Sequence, residues 1–129
     1  MSKISIVDLE VHFHVGVTSE ERAKPQRLLL TVDMGYDFST AAATDRVTRT
    51  IDYYKVTQKI LKFGEGHSWK LIEKLAADVA NLVVNDFYPT SVTVTVKKFP
   101  FPQASYVAVS LTKQRATTNL IKRSSWGIP

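Results

Sequence analysis

The stretch Arg27-Leu-Leu-Leu-Thr-Val-Asp-Met-Gly-Tyr-Asp-Phe38 decides the fold. Leu28, Leu30, Val32, Met34, Tyr36 and Phe38 fall on one face; Arg27, Thr31, Asp33 and Asp37 fall on the other. In extended chain successive side chains point to opposite sides, so a period of two with one apolar face reads as a half-buried strand. Such a strand needs a partner to pair with and a second layer to cover its apolar face.

The partner lies just upstream. In residues 4–17, Val7, Leu9, Val11, Phe13, Val15 and Val17 share a face, while Ile4 and Ile6 are out of phase. That slip predicts a bulge near Val7. The polar connection 18–26 holds Pro25 where no ladder hydrogen bond is required of it.

The covering layer lies downstream. Ala41-Ala-Ala43 can make a short helical turn. Asp52 is placed to cap a helix carrying Tyr53, Val56, Ile60 and Phe63, stopped by Gly64 and Gly66. Ser68 is expected to cap a second helix with the stripe Ile72, Leu75, Val79, Leu82 and Val83. Two further strands follow: Val92, Val94 and Val96 alternate with Thr93, Thr95 and Lys97, and Val107, Val109 and Leu111 alternate with Ala108 and Ser110. The order strand, strand, helix, helix, strand, strand implies an α+β fold, one antiparallel sheet with both helices on one face. The pattern fades near Gln114, giving a domain over 1–113 and a tail over 114–129 in which Leu120, Ile121, Trp126 and Ile128 could dock on a neighbour. The strands' polar second faces, mixed with small apolar groups, are compatible with an oligomer.

Composition narrows the function. At 129 residues, 44% hydrophobic and 22% charged, the chain has the make-up of a globular domain. No apolar run is long enough to span a bilayer and the N-terminus carries no apolar signal core, so a cytoplasmic address is expected, with no membrane partner. The absence of cysteine removes disulfides, thiolate nucleophiles and Cys-based zinc sites. The net charge of +5 is spread along the chain, apart from Lys113, Arg115, Lys122 and Arg123 in the tail, and reads as a solvated surface.

Chemistry-bearing residues stand in separate segments: Glu21 in Gly16-Val-Thr-Ser-Glu-Glu-Arg22, Tyr53 in Thr50-Ile-Asp-Tyr53, Glu73 in Leu71-Ile-Glu73, and Lys97 in Val94-Thr-Val-Lys97. Two carboxylates, a phenol and an amine can supply a base, an acid and an anchor for a hydrogen-bond-rich heterocycle. Each also has an ordinary role: Glu21 a solvated loop carboxylate, Tyr53 a packed aromatic, Glu73 a helix-dipole partner, Lys97 a strand-end charge. Lys97 shares its phase with Thr93 and Thr95; Lys98 falls on the valine phase. His12 and His14 share a strand face, but no third metal ligand has a matching spacing. No glycine-rich phosphate loop, nucleophile elbow or RNA-stacking motif is present.

Taken together, the ordered stretches Gly16–Arg22 with Gln26, Leu28–Asp33, Ala41–Asp45, Thr50–Tyr53, Leu71–Ala76, Thr95–Lys97 and Val107–Leu111 resemble the dihydroneopterin aldolase family over about residues 3–113. The resemblance implies the tunnelling fold, subunits assembled as a tetramer or octamer with sites between them, and a retro-aldol reaction without metal or cofactor. It implies 7,8-dihydroneopterin as substrate, cleaved to 6-hydroxymethyl-7,8-dihydropterin and glycolaldehyde in folate synthesis. By the same resemblance Glu73 with the Ile72 backbone anchors the pterin, Lys97 is the central catalytic residue, Glu21 lies beside the substrate side chain, and Tyr53 carries a proton from the adjacent subunit. The family commonly follows its lysine with proline; here Lys98 and then Phe99-Pro100 follow, which leaves a register one residue later open. A relative on the same fold, dihydroneopterin triphosphate 2′-epimerase, is the alternative activity. A non-catalytic binding or assembly module is a second alternative, its basic tail contacting nucleic acid, although no nucleic-acid partner is expected.

Overall fold

In a computed structural model, which describes residues 2–116, the alternation of Leu28 to Met34 forms the central strand of the sheet. The elements are β1 (Lys3–Val15), α1 (Ser19–Arg22), β2 (Gln26–Gly35), α2 (Ser39–Thr44), a single 3₁₀ turn (Val47–Arg49), α3 (Tyr53–Gly64), β3 (Ser68–Trp69), α4 (Ile72–Phe87), β4 (Ser91–Lys98) and β5 (Val107–Gln114). Across the sheet the order is β3-β1-β2-β4-β5. The pairs β1–β2, β2–β4 and β4–β5 are antiparallel. Among the described residues only the two-residue β3 runs parallel to its neighbour, pairing Ser68 and Trp69 with His14 and Val15.

The core lies between one sheet face and the two long helices. Leu28, Leu30, Val32 and Met34 of β2 and Val92, Val94 and Val96 of β4 are fully buried. Val56 and Ile60 of α3 and Leu75, Val79, Ala80 and Val83 of α4 close over them. Each fully buried side chain of this size contributes about 1.5–3 kcal/mol relative to exposure. α4 lies over β4 and β5, and α3 lies over β1. Gly64 at the end of α3 sits where an added Cβ would fall 2.1 Å from the Phe13 ring, so the close approach of α3 to β1 depends on the missing side chain.

The expected bulge is present, with the register shifting between Ile6 and Leu9. Val7 does not face the core: it lies in the bulge and is 67% exposed. β2 ends at Gly35, earlier than the alternation suggests, because the Asp37 carboxylate accepts the Ser39 N–H and turns the chain into α2. Asp52 caps α3, accepting from the N–H groups of Tyr54 and Lys55. Ser68 does not cap α4: it is paired in β3, the helix starts after Leu71, and no side chain caps it. Val107 and Leu111 are partly exposed because β5 is an edge strand. The tail residues Leu120, Ile121, Lys122, Arg123, Trp126 and Ile128 lie outside the described residues; Arg115 donates to the Tyr88 carbonyl at 2.8 Å.

Candidate active site

The sheet register brings several chain ends together. Phe13 pairs with Gln26, Leu28 with Lys98, and Lys98 with Val107, so β1 ends, β2 begins, β4 ends and β5 begins at one edge of the molecule. Gly16 N–H donates to the Trp69 carbonyl at 2.9 Å, which places the start of α4 beside the exit from β1. The Trp69 indole donates to Asp78 of α4 at 2.9 Å, and its ring packs beside Phe13, Phe63 and His67. Burial pushes the Asp78 carboxyl up, but hydrogen bonds from Trp69 and Lys74 outweigh it and hold the group below its usual range.

Glu21 is fixed at this edge by its own short helix. Thr18 is the N-cap of α1; its hydroxyl accepts the Glu21 N–H at 3.1 Å, and the Glu21 carboxylate accepts the Thr18 N–H in return. This is a capping box, written in sequence as Thr18-Ser-Glu-Glu21. The Arg22 guanidinium donates to the carbonyls of Gly16 and Val17 at 2.8 and 2.9 Å. Gln26 donates to the Glu21 carbonyl at 3.1 Å. His14 Nδ1 lies 2.7 Å from the Arg22 carbonyl, so that nitrogen carries the proton. The Cβ that Gly16 lacks would lie 2.3 Å from the Glu21 Cβ. Glycine is therefore required there by close approach rather than by backbone conformation.

The partner of the Glu21 carboxylate is Lys98, at 3.4 Å, with a lysine side chain only 16% exposed. The Thr18 N–H, and after it the Lys98 charge, hold the Glu21 carboxyl below the usual carboxylate range. Lys98 continues the inward phase of Val92, Val94 and Val96 past the end of the core. Lys97, grouped with Glu21 by the sequence match, is on the opposite face of the sheet. Its amine contacts Asp8 at 3.0 Å and lies 4.8 Å from the Tyr106 ring centroid. The physical reason is the pleat: adjacent residues of a strand cannot reach the same face.

Glu73 stands exposed in the first turn of α4, with the buried Ile72 before it. Leu71, the residue at the helix start, offers no capping side chain to the first N–H groups of α4. Tyr53 does not join this group within one chain. α3 ends against Phe13, so its first residue lies at the other end of the sheet, beside the cleft lined by Tyr36, Ile51, Asp52, Lys55 and Phe87. The Tyr53 side chain is 64% exposed and is no part of the α3 core stripe. His12 and His14 find separate partners, Glu10 and the Arg22 carbonyl. Among the described residues no cluster with metal-ligand geometry occurs, and no helix is long and apolar enough to cross a membrane.

Sequence reasoning missed Lys98 as a partner of Glu21, although its valine phase was the signal. It also missed the Thr18 cap, whose Thr-x-x-Glu spacing is legible in Thr18-Ser-Glu-Glu21.

Comparison with known proteins bears on the fold and the family. A dihydroneopterin aldolase of Haemophilus influenzae is 30% identical over 98 residues, covering 76% of this chain and 83% of its own. The solved structure of FolB from Vibrio cholerae superposes with a TM-score of 0.86 at 32% identity, over 89% of this chain and 98% of that one. The Escherichia coli dihydroneopterin aldolase, solved in complex with neopterin, superposes with a TM-score of 0.83 at 26% identity, over 88% of this chain and 99% of its own. The tunnelling fold is thereby shared. The family model for dihydroneopterin aldolase, FolB, matches residues 4–112, and on this ground the chain belongs to the dihydroneopterin aldolase family.

Proposed function

We propose that this chain cleaves 7,8-dihydroneopterin by a retro-aldol reaction, releasing 6-hydroxymethyl-7,8-dihydropterin and glycolaldehyde. The observation that carries the reading is the Glu21–Lys98 pair beside the uncapped start of α4, in a chain of this family. The pterin ring presents its 2-amino group and N3–H as parallel donors, and a carboxylate accepts both in one charge-assisted pair. Glu73 takes that role, with the Ile72 backbone beside it. The neopterin held by the Escherichia coli relative supports a pterin as the ligand.

Cleavage removes a proton from the side-chain hydroxyl, breaks the carbon–carbon bond beyond the carbon attached to the ring to release glycolaldehyde, and delivers a proton to that attached carbon, which becomes the hydroxymethyl group. The carbanion delocalises into the C=N bond of the dihydropterin, which makes the substrate its own electron sink. Glu21 and Lys98 stand together for the proton transfers, so we assign Lys98 the role that the resemblance gave to Lys97. Tyr53 is exposed at the other end of the sheet from this pair, which supports its reaching a site from a neighbouring copy. The working protein is therefore a homo-oligomer, a tetramer or octamer, with sites between subunits, and acts in folate synthesis in the cytoplasm. The test is direct: incubation with 7,8-dihydroneopterin releases glycolaldehyde. A changed side-chain stereocentre with phosphate retained, from the triphosphorylated pterin, would assign the epimerase reaction instead; no turnover of either would leave a binding module.

A further inference from the structure

Asp8 has a backbone conformation that a side chain rarely adopts, with φ of +53°. It occupies the β1 bulge, where Val7 and Asp8 together oppose the single residue Thr31 of β2. A left-handed residue other than glycine costs stability and persists where its surroundings hold it. Here hydrogen bonds to two neighbouring strands hold it. The Asp8 N–H donates to the Thr31 hydroxyl at 3.0 Å, that hydroxyl donates to the Asp8 carboxylate at 3.4 Å, and the carboxylate accepts the Lys97 amine at 3.0 Å. One side chain therefore ties three adjacent strands, β1, β2 and β4, across the open face of the sheet.

The Lys97 end of this tie is the end of β4. Its amine lies between the Asp8 carboxylate and the Tyr106 ring, and its side chain is 24% exposed. Tyr106 is the last residue before β5, so Lys97 and Tyr106 close the base of the connection 99–106. On the first residue of that connection the Arg27 guanidinium stacks over Phe99 at 4.9 Å. Between Lys97 and Phe99 stands Lys98, whose amine points to the other face and meets Glu21.

We propose that Asp8, Lys97 and Tyr106 form a clamp that positions Lys98. Lys97 is a positioning residue: it touches no reacting atom and acts through the strand end it holds. This rests on the reading that Lys98 serves the retro-aldol site. The clamp explains why a strained aspartate sits in the bulge and why an amine next to the site faces away from it. A displacement of about 1 Å in a catalytic group can cost 100-fold in rate, so loosening the strand end falls within what turnover can read.

The experiment compares Asp8→Ala, Asp8→Asn, Lys97→Ala, Lys97→Arg and the double Asp8→Ala/Lys97→Ala. Asp8→Asn keeps the bulge's shape and is read in place of any variant that fails to fold. Single alanine variants lower kcat about tenfold with little change in KM, and the double variant loses less than the two single losses combined, because both remove the Asp8–Lys97 contact. Lys97→Arg, which keeps the charge and the stacking on Tyr106, restores kcat to within about threefold. Amide exchange over 97–107, measured without substrate, speeds up in the alanine variants. Unchanged exchange and unchanged kcat in Lys97→Ala overturn the clamp. So does a Lys97→Ala loss that Lys97→Arg fails to restore while Asp8→Ala is silent, since the amine would then act by itself. Exchange needs no turnover, so it judges the clamp even if the wild type releases no glycolaldehyde, a result that would defeat only the pterin reading.

Discussion

The Lys98 amine and the Glu21 carboxylate meet at 3.4 Å although 77 positions of chain separate them. Each is held from a different direction. Glu21 is fixed by the capping box of α1 and by the carbonyl contacts of Arg22 and Gln26. Lys98 is fixed by the register of β4 between β2 and β5. The pair is partly withdrawn from solvent, with the lysine side chain 16% exposed and the glutamate side chain 42%.

Gly16→Ala tests how tightly Glu21 is placed. The new methyl would lie 2.3 Å from the Glu21 Cβ, so α1 or the carboxylate must move. The fold should persist with a loss of about 1–3 kcal/mol in denaturant melts. Turnover should fall about 100-fold. A variant with wild-type turnover would show that Glu21 tolerates displacement and does not act at the site.

The titration of Glu21 separates its two supports. Its folded carboxyl titrates below the unfolded value, so the stability it adds is present above the unfolded range and is lost as pH falls through the folded value. The Thr18 N–H is the larger cause and the Lys98 charge the next. In Lys98→Met the Glu21 midpoint, followed by carbon NMR, should rise yet stay below that of a free glutamate. A midpoint unmoved by Lys98→Met would mean that the pair does not form in solution.

Glu73→Gln keeps the shape of the anchor but sets an amide donor against a ring donor. Pterin affinity by calorimetry should weaken about 10- to 100-fold, the loss of a charged hydrogen bond worth roughly 1.5–3 kcal/mol. Unchanged affinity would remove Glu73 from the site.

Sharing of the site between copies can be read by complementation. Lys98→Ala and Tyr53→Phe should each be nearly inactive alone. Unfolded together and refolded as mixed assemblies, they should regain activity at about a quarter of the sites, by random assortment across a heterologous interface. If each site used Tyr53 and Lys98 of one chain, the mixture would stay inactive.

Much of this was legible in the sequence where one physical signal dominated. The alternation of Leu28 to Met34, the slip at Ile6 and the cap at Asp52 are local patterns with one structural solution each. Ser68 was misjudged because a capping residue and a short strand residue look alike, and the pairing with His14 that decides it is non-local. Tyr53 fits a helical spacing with Val56 and Ile60, yet among the described residues it stays exposed at the first turn. Lys97 and Lys98 are adjacent in sequence and opposite in space. Matching motifs along the chain cannot separate them, whereas the strand pleat puts Lys98 on the face of Glu21 and Lys97 on the other.

One comparison decides between the two lysines: kcat for glycolaldehyde release from 7,8-dihydroneopterin by Lys98→Ala and Lys97→Ala. Loss of a positioned proton-transfer group costs roughly 10²–10⁴ in rate, so Lys98→Ala should fall by that much. Lys97→Ala should fall only about tenfold, the effect of a loosened strand end. A Lys97→Ala variant without measurable turnover beside a Lys98→Ala variant of near wild-type rate would contradict the account.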